Sequence, residues 1–307
     1  MVYPPRRRAA GLTFVVTAAN IPLSKYGSTI SALNSADHAV VGFFVNVLNP
    51  PRGNHRAKAR KIGEMFGELR SEFGVGRYDI VGHSIGGKIA LLAAALYDGE
   101  GLIRSVVALD PVDQSPAEFT KGASRRRNLT GAADGDAPPP NPFRAGEPPA
   151  GGASGESGAN LSLRSSPADI TLTFTDTGYW VSRRHNAREI QARNPGCKLV
   201  MHRNSCHMVY CDDGGPLSWR ALMGRGASAE RNRQVREETL NLIKEKAGRS
   251  AGGGGAAGGA AGKARRSAGM AKKMKEGMMS DLKEMGEEAK RKKDQLTGAA
   301  AFSKVLG

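Results

Sequence analysis

The residues Gly82-His83-Ser84-Ile85-Gly86-Gly87 carry the most specific chemical pattern in this chain, a serine flanked by glycines at G-x-S-x-G spacing. An apolar stretch, Tyr78–Val81, precedes it, and an Ala/Leu-rich stretch, Ile85–Tyr97, follows it. The order strand, sharp turn, helix is what this motif needs in order to present a nucleophile. A serine on such a turn stands above the end of a sheet. The small residues around it keep side chains out of the way, and the Ile85 N–H can point at a developing oxyanion. A glycine-rich turn with a capping serine shares part of this pattern. The whole motif in this context favours acyl transfer through a covalent serine intermediate.

A serine hydroxyl needs a base, and the base needs an orienting acid. Six histidines are available. His38 and His55 precede the serine, against the order Ser–acid–His of this motif class. His83 is next to the serine and is expected to turn into packing, and His185 follows two arginines. His202 and His207 remain, after the last expected strand. His202 sits at the strand end and reads as structural, so His207, farther into the loop, is the expected base. Cys206 beside it reads as a small buried residue.

The acid stays open between Asp110 and Asp176. Both end strands, where catalytic groups gather in parallel sheets. The proline after Asp110 predicts an extended exit there. Asp113 is a third carboxylate, farther along the loop. The second oxyanion donor is expected after the first patterned strand, at the Ile21 N–H of Ala18-Ala19-Asn20-Ile21. No cysteine occupies a strand–helix turn, and no H-E-x-x-H or comparable cluster supports a metal. No cofactor or metal is expected.

These residues must be held by elements, and the patterning supplies them. Gly11–Ala18, His38–Val47, Tyr78–Val81, Ile103–Leu109, Ile170–Phe174 and Cys197–Met201 are short apolar runs that suit buried parallel strands. Residues 56–73 place Ile62, Met65, Phe66, Leu69 and Phe73 on one helical stripe. Helices are also expected at Ile85–Tyr97 and 229–246. Strands alternating with helices predict an α/β fold with a mostly parallel sheet and flanking helices.

The chain has 307 residues and a formal net charge of +16. Twelve of those excess positive charges lie in residues 1–10, 120–168 and 249–307, so the patterned part is close to ordinary in charge. No nucleic-acid-binding signature accompanies the bases, and no nucleic-acid partner is expected. Three cysteines are too few for a disulfide framework. No apolar run reaches the ~18 residues of a membrane span. Residues 116–168 are dominated by Gly, Pro, Ser, Ala and Arg and predict a disordered insertion. The expected organisation is therefore one domain over 11–248, interrupted by that insertion. A Gly/Ala linker and a Lys/Met-rich amphipathic tail follow over 249–307. The methionines of 263–297 recur at nearly i+4 spacing among Lys and Glu, a pattern able to meet an anionic membrane surface. Gly269, Gly277 and Gly286 interrupt that pattern and equally allow a solvated, marginal helix.

Gly82-His83-Ser84-Ile85-Gly86-Gly87-Lys88, followed by Ala108-Leu109-Asp110-Pro111-Val112-Asp113, resembles the chlorophyllases, α/β-hydrolase enzymes that cleave the phytyl ester of chlorophyll. More loosely, the elbow is similar to those of lipases and polyester hydrolases. The resemblance implies Ser84 as nucleophile, Asp110 as acid and His207, followed by Met208, as base. It also implies a lipophilic ester substrate and a plastid location, the latter on no other ground; otherwise an intracellular one is expected. A general carboxylesterase or lipase is the alternative within the class. A hydrolase-fold scaffold that binds lipid or a partner without catalysis is the alternative outside it. Ile85 stands where the family has arginine, and Ala19-Asn20 stands where it has His-Gly. The family's first strands have no counterpart before Gly11, so a sheet reduced on its N-terminal side is expected.

Overall fold

Runs of Val, Ile, Phe and Ala build the sheet because these side chains can be buried on both faces of a parallel strand. The computed structural model describes residues 1–5, 7–46, 54–98, 100–114, 117–120, 161–176, 186–212 and 228–248. Among these residues seven strands form one sheet: β1 (Val2–Tyr3), β2 (Gly11–Val16), β3 (His38–Phe43), β4 (Tyr78–His83), β5 (Ile103–Leu109), β6 (Asp169–Thr175) and β7 (Lys198–His202). Their order is β1-β3-β2-β4-β5-β6-β7, and every pairing is parallel except β1 with β3. The order reverses at β2, which lies between β3 and β4. Ligands bind at the carboxyl ends of strands beside such a reversal, and β4 ends there in His83, directly before Ser84.

Among the described residues five helices flank the sheet: α1 (Gly27–Ser35), α2 (His55–Phe73), α3 (Ile85–Leu96), α4 (Ala187–Arg193) and α5 (Ala229–Gly248). Side chains alternate between faces along each strand. Leu12, Phe14, Ile80 and Val106 pack with Ile62, Phe66 and Leu69 of α2 and with α3 on one side. Val15, Val40, Val81 and Val107 pack with Ile30 and Leu33 of α1 and Val235 and Ile243 of α5 on the other. Each fully buried side chain of this size stabilises by about 1.5–3 kcal/mol. The two layers clamp β4 and β5, whose strands are almost wholly buried. Asn54 caps α2 by accepting the Ala57 N–H at 3.0 Å, and Gly74 ends it in the left-handed region.

Several expectations change. The β3 strand stops at Phe43, and Val47 lies outside the described residues. Val2–Tyr3 pairs antiparallel with Val40 and Val41, so the sheet starts before Gly11. Of the insertion expected over 116–168, residues 117–120 and 161–168 are ordered, and residues 121–160 lie outside the described residues. Phe119 is fully buried, Leu163 is buried with it in the core, and the Leu161 N–H bonds the Glu118 carbonyl. A single phenylalanine and a single leucine bring enough apolar surface to order the chain around them, which bulk composition does not register. The tail 249–307, with the Met-rich stretch of 263–297, lies outside the described residues. Among the described residues no helix is long and apolar enough to cross a membrane.

Candidate active site

Ser84 follows β4 with φ 58° and ψ −120°, a conformation that a non-glycine residue adopts only under strain. The strain is held by hydrogen bonds: the Ser84 N–H donates to the Leu109 carbonyl at 2.9 Å, and the Ser84 carbonyl accepts the Lys88 and Val112 N–H groups, each at 3.2 Å. The glycines are required by close approach. A Cβ on Gly82 would lie 2.3 Å from the Gly86 carbonyl oxygen, and one on Gly86 would lie 2.4 Å from the Thr17 and Val16 oxygens. The turn is tight enough to bring the start of α3 onto the end of β2. Among the described residues no side chain caps α3, so the Ile85 N–H belongs to a first turn without intrahelical acceptors and sits at the positive end of the helix dipole.

The His207 ring is buried in a short 3-10 turn, His207–Tyr210, and its Nδ1 lies 2.8 Å from Asp110 Oδ2. Asp110 is held from several directions. Its N–H donates to Thr173 Oγ1 at 3.0 Å, the Thr175 hydroxyl donates to its Oδ2, and the Thr175 N–H reaches its Oδ1 at 3.4 Å. Thr173 in turn donates to the Tyr210 hydroxyl at 2.7 Å. Thr173, Thr175 and Tyr210 were not legible as site residues. The only signal for the two threonines is that alternate positions of β6 carry threonine where an apolar residue would be expected, and Tyr210 carries none.

The extended exit expected at Asp110 is not found. Its φ is +43°, in the left-handed region, despite Pro111 after it. Aspartate tolerates this region better than most residues. Its N–H and carboxylate bonds to β6 outweigh the local preference and aim the carboxylate at His207.

Asp176 accepts the Ser205 N–H at 3.4 Å, supporting the loop that leads to His207. Asp113 is fully buried and accepts from the N–H groups of Glu118, Phe119 and Thr120 at 2.7–2.8 Å, with the buried Lys88 ammonium at 3.4 Å. His202 ends β7 with Nδ1 3.3 Å from Glu238. His38 bonds Thr13 Oγ1 at 2.7 Å at the opposite end of the strands from Ser84. His185 lies outside the described residues. All three cysteines are unpaired and buried. Burial pushes the Cys197 thiol up to about 11 and Cys211 up to about 12, so both remain protonated. Among the described residues, no three His, Cys, Asp or Glu side chains gather as a metal site.

The loop after β2 corrects one expectation. The Ile21 N–H donates to the Ala18 carbonyl at 3.2 Å and Ile21 is fully buried, so that donor is spent inside the loop. The N–H groups of Thr17, Ala18 and Asn20 are also engaged, by the Phe43 carbonyl, the Tyr26 hydroxyl and the Val45 carbonyl. Ala19 is left as the loop residue whose N–H has no partner among the described residues. Asn20, at φ 56°, turns the chain directly after it. Local sequence does not reveal this, because which N–H groups of the loop are engaged depends on Tyr26 and on Phe43 and Val45, at and just after the end of β3.

The family model of the α/β hydrolase fold matches residues 26–133, which include the elbow and Asp110. This chain has the α/β-hydrolase fold. None of the curated proteins compared with it matches. Among solved structures, Est1E from Butyrivibrio proteoclasticus is similar at 14% identity and a TM-score of 0.49, covering 80% of this chain and 92% of its own. The monoacylglycerol lipase of Paleococcus ferrophilus is similar at 14% identity and a TM-score of 0.46, covering 80% and 98%. The esterase Pf2001 of Pyrococcus furiosus is similar at 13% identity and a TM-score of 0.46, covering 78% and 83%. The activities in those names belong to those proteins.

Proposed function

We propose that the chain is a serine carboxylic-ester hydrolase. The observation that carries this reading is the buried His207–Asp110 pair, at 2.8 Å, beside a strained serine elbow on the adjoining strand end. Ser84 Oγ attacks the ester carbonyl carbon while His207 Nε2 takes its proton. Asp110 stays ionised, fixes the proton on His207 Nδ1 and stabilises the imidazolium as it forms. The carbonyl oxygen becomes an oxyanion that the N–H groups of Ile85 and Ala19 receive. Collapse breaks the bond to the alkoxy oxygen, which leaves as the alcohol with the proton from His207. A water then attacks the acyl-enzyme with His207 again as base, releasing the acid and free Ser84.

Substrate class is proposed at the level of lipophilic carboxylic esters, and the general carboxylesterase or lipase reading is preferred. The chlorophyll phytyl ester is supported only by the elbow and the Asp110-Pro111-Val112 segment. The Ile85-for-arginine difference stands against it.

The test is turnover of p-nitrophenyl esters of graded chain length and of chlorophyll a, with Ser84→Ala alongside. Hydrolysis of the esters that is lost in Ser84→Ala supports the reading. Chlorophyllide formation adds the narrower substrate, and its absence leaves the general esterase. A wild-type protein inert on all of them points to the non-catalytic scaffold.

A further inference from the structure

The His83 imidazole and the Tyr26 hydroxyl have no part in the chemistry above, yet both are buried within its machinery. The Ala18 N–H lies 2.9 Å from the Tyr26 hydroxyl oxygen, and that oxygen lies 2.8 Å from His83 Nδ1. His83 Nε2 lies 3.0 Å from the His207 carbonyl oxygen. The direction of each bond is fixed by its ends. An amide N–H can only donate, so the Tyr26 oxygen accepts from Ala18. A carbonyl can only accept, so His83 Nε2 carries the proton. His83 Nδ1 is then an acceptor, and the single proton of Tyr26 goes to it. The result is one directional chain of hydrogen bonds running Ala18 to Tyr26 to His83 to His207.

We propose that Tyr26 and His83 are positioning residues, a relay that holds the oxyanion loop, the serine elbow and the histidine loop in register. The proposal rests on the ester-hydrolase reading for its catalytic meaning. Ala18 precedes Ala19, the oxyanion donor. His83 precedes Ser84, and its far nitrogen grips the backbone of the residue whose side chain is the base. The oxyanion loop, the serine elbow and the histidine loop, the last two 124 residues apart in sequence, are thereby tied through two side chains. A displacement of ~1 Å between such groups costs about 100-fold in rate, and this chain of bonds resists it.

The relay also requires His83 to remain uncharged. Its ring centroid lies 4.8 Å from that of His207, which becomes an imidazolium during turnover. A second positive ring there would oppose that step. The surroundings of His83 meet the requirement: complete burial is the main cause that depresses its protonation, His207 the second, and the His207 carbonyl acts the other way. The Cys211 thiol, 3.7 Å from Nδ1, also faces the ring and stays protonated, and the Tyr210 ring meets it edge-on at 5.3 Å. No carboxylate is within bonding distance of the ring among the described residues.

The test combines kinetics with a readout independent of turnover. Tyr26→Phe deletes one oxygen and nothing else, and His83→Leu removes both ring nitrogens. Each is expected to lower kcat about 10–100-fold with KM within about twofold. The double variant should be no worse than His83→Leu alone, because both act through one chain of bonds. His83→Gln, which keeps a donor for the His207 carbonyl, should recover part of the loss. In parallel, the ring nitrogens of His83 are observed by 15N NMR from about pH 5 to 9. Protonation at Nε2 only, unchanged across that range, is the expected result. Additive losses, a Tyr26→Phe kcat within about twofold of wild type, or an Nδ1-protonated or titrating His83 overturns the relay. Should the wild type hydrolyse no ester, the function reading fails separately, and the NMR result still decides the relay.

Discussion

His207 Nδ1 and Asp110 Oδ2 are 2.8 Å apart, and both side chains are buried. A buried carboxylate in that position holds the imidazole with its proton on Nδ1 and leaves Nε2 to take the serine proton. Asp110→Asn keeps the shape but favours the wrong tautomer. It is expected to lower kcat about 10³–10⁴-fold. Among the described residues the Asp176 carboxylate accepts the Ser205 N–H, and Asp176→Asn should stay within about threefold on the same esters.

Thr175 is the second donor to the Asp110 carboxylate. Thr175→Val removes the hydroxyl at nearly constant volume and leaves Asp110 with one fewer charge-assisted bond. Bonds to charged groups contribute about 1.5–3 kcal/mol. The expected outcome is a kcat reduced about tenfold, with KM nearly unchanged, in steady-state kinetics on a p-nitrophenyl ester.

Gly86 and Gly67 should respond in opposite ways to alanine. A Cβ at Gly86 meets backbone oxygens of Val16 and Thr17 at 2.4 Å, so the elbow must open. Forced overpacking costs about 1–3 kcal/mol, and thermal denaturation should show a lower Tm together with lost activity. Gly67 lies on the exposed side of α2 with nothing within 4 Å of a Cβ. Gly67→Ala should raise stability by up to about 1 kcal/mol and leave activity alone.

His55 sets an acid limit on stability. Burial first, then Lys88 and Lys58, lower its pKa from 6.5 to about 4, and its Nδ1 has no hydrogen-bond partner among the described residues. Between those values the unfolded chain binds a proton that the folded chain refuses, so stability rises with pH. The contribution is complete above about pH 6.5 and is lost as pH falls toward 4. The full loss is on the order of 3 kcal/mol. Urea unfolding of His55→Leu should show a flatter pH dependence in that window; an unchanged slope would contradict the assignment.

The α/β order was legible because strands buried on both faces read as continuous apolar runs, as in Ile103–Leu109, and α2 carries a clear stripe. Helix α1 was not, since Gly27–Ser35 is mostly small and polar and its burial rests on Ile30 and Leu33. Helix α4 is seven residues long, too short for a period to appear. In the site, the serine motif is local and is read directly. Which carboxylate meets His207 is not local: Asp110 and Asp176 end neighbouring strands, and the sheet register with Thr173 and Thr175 decides which one turns inward. The spent Ile21 N–H and the Tyr26–His83 chain likewise depend on contacts between segments far apart in sequence.

The most direct measurement of the central claim is intact mass and peptide mapping after reaction with a fluorophosphonate. One adduct per chain, located on Ser84 and absent from Ser84→Ala, with ester turnover lost in proportion to labelling, is the predicted result. No adduct, or one on another residue, contradicts an acyl-enzyme mechanism at this elbow.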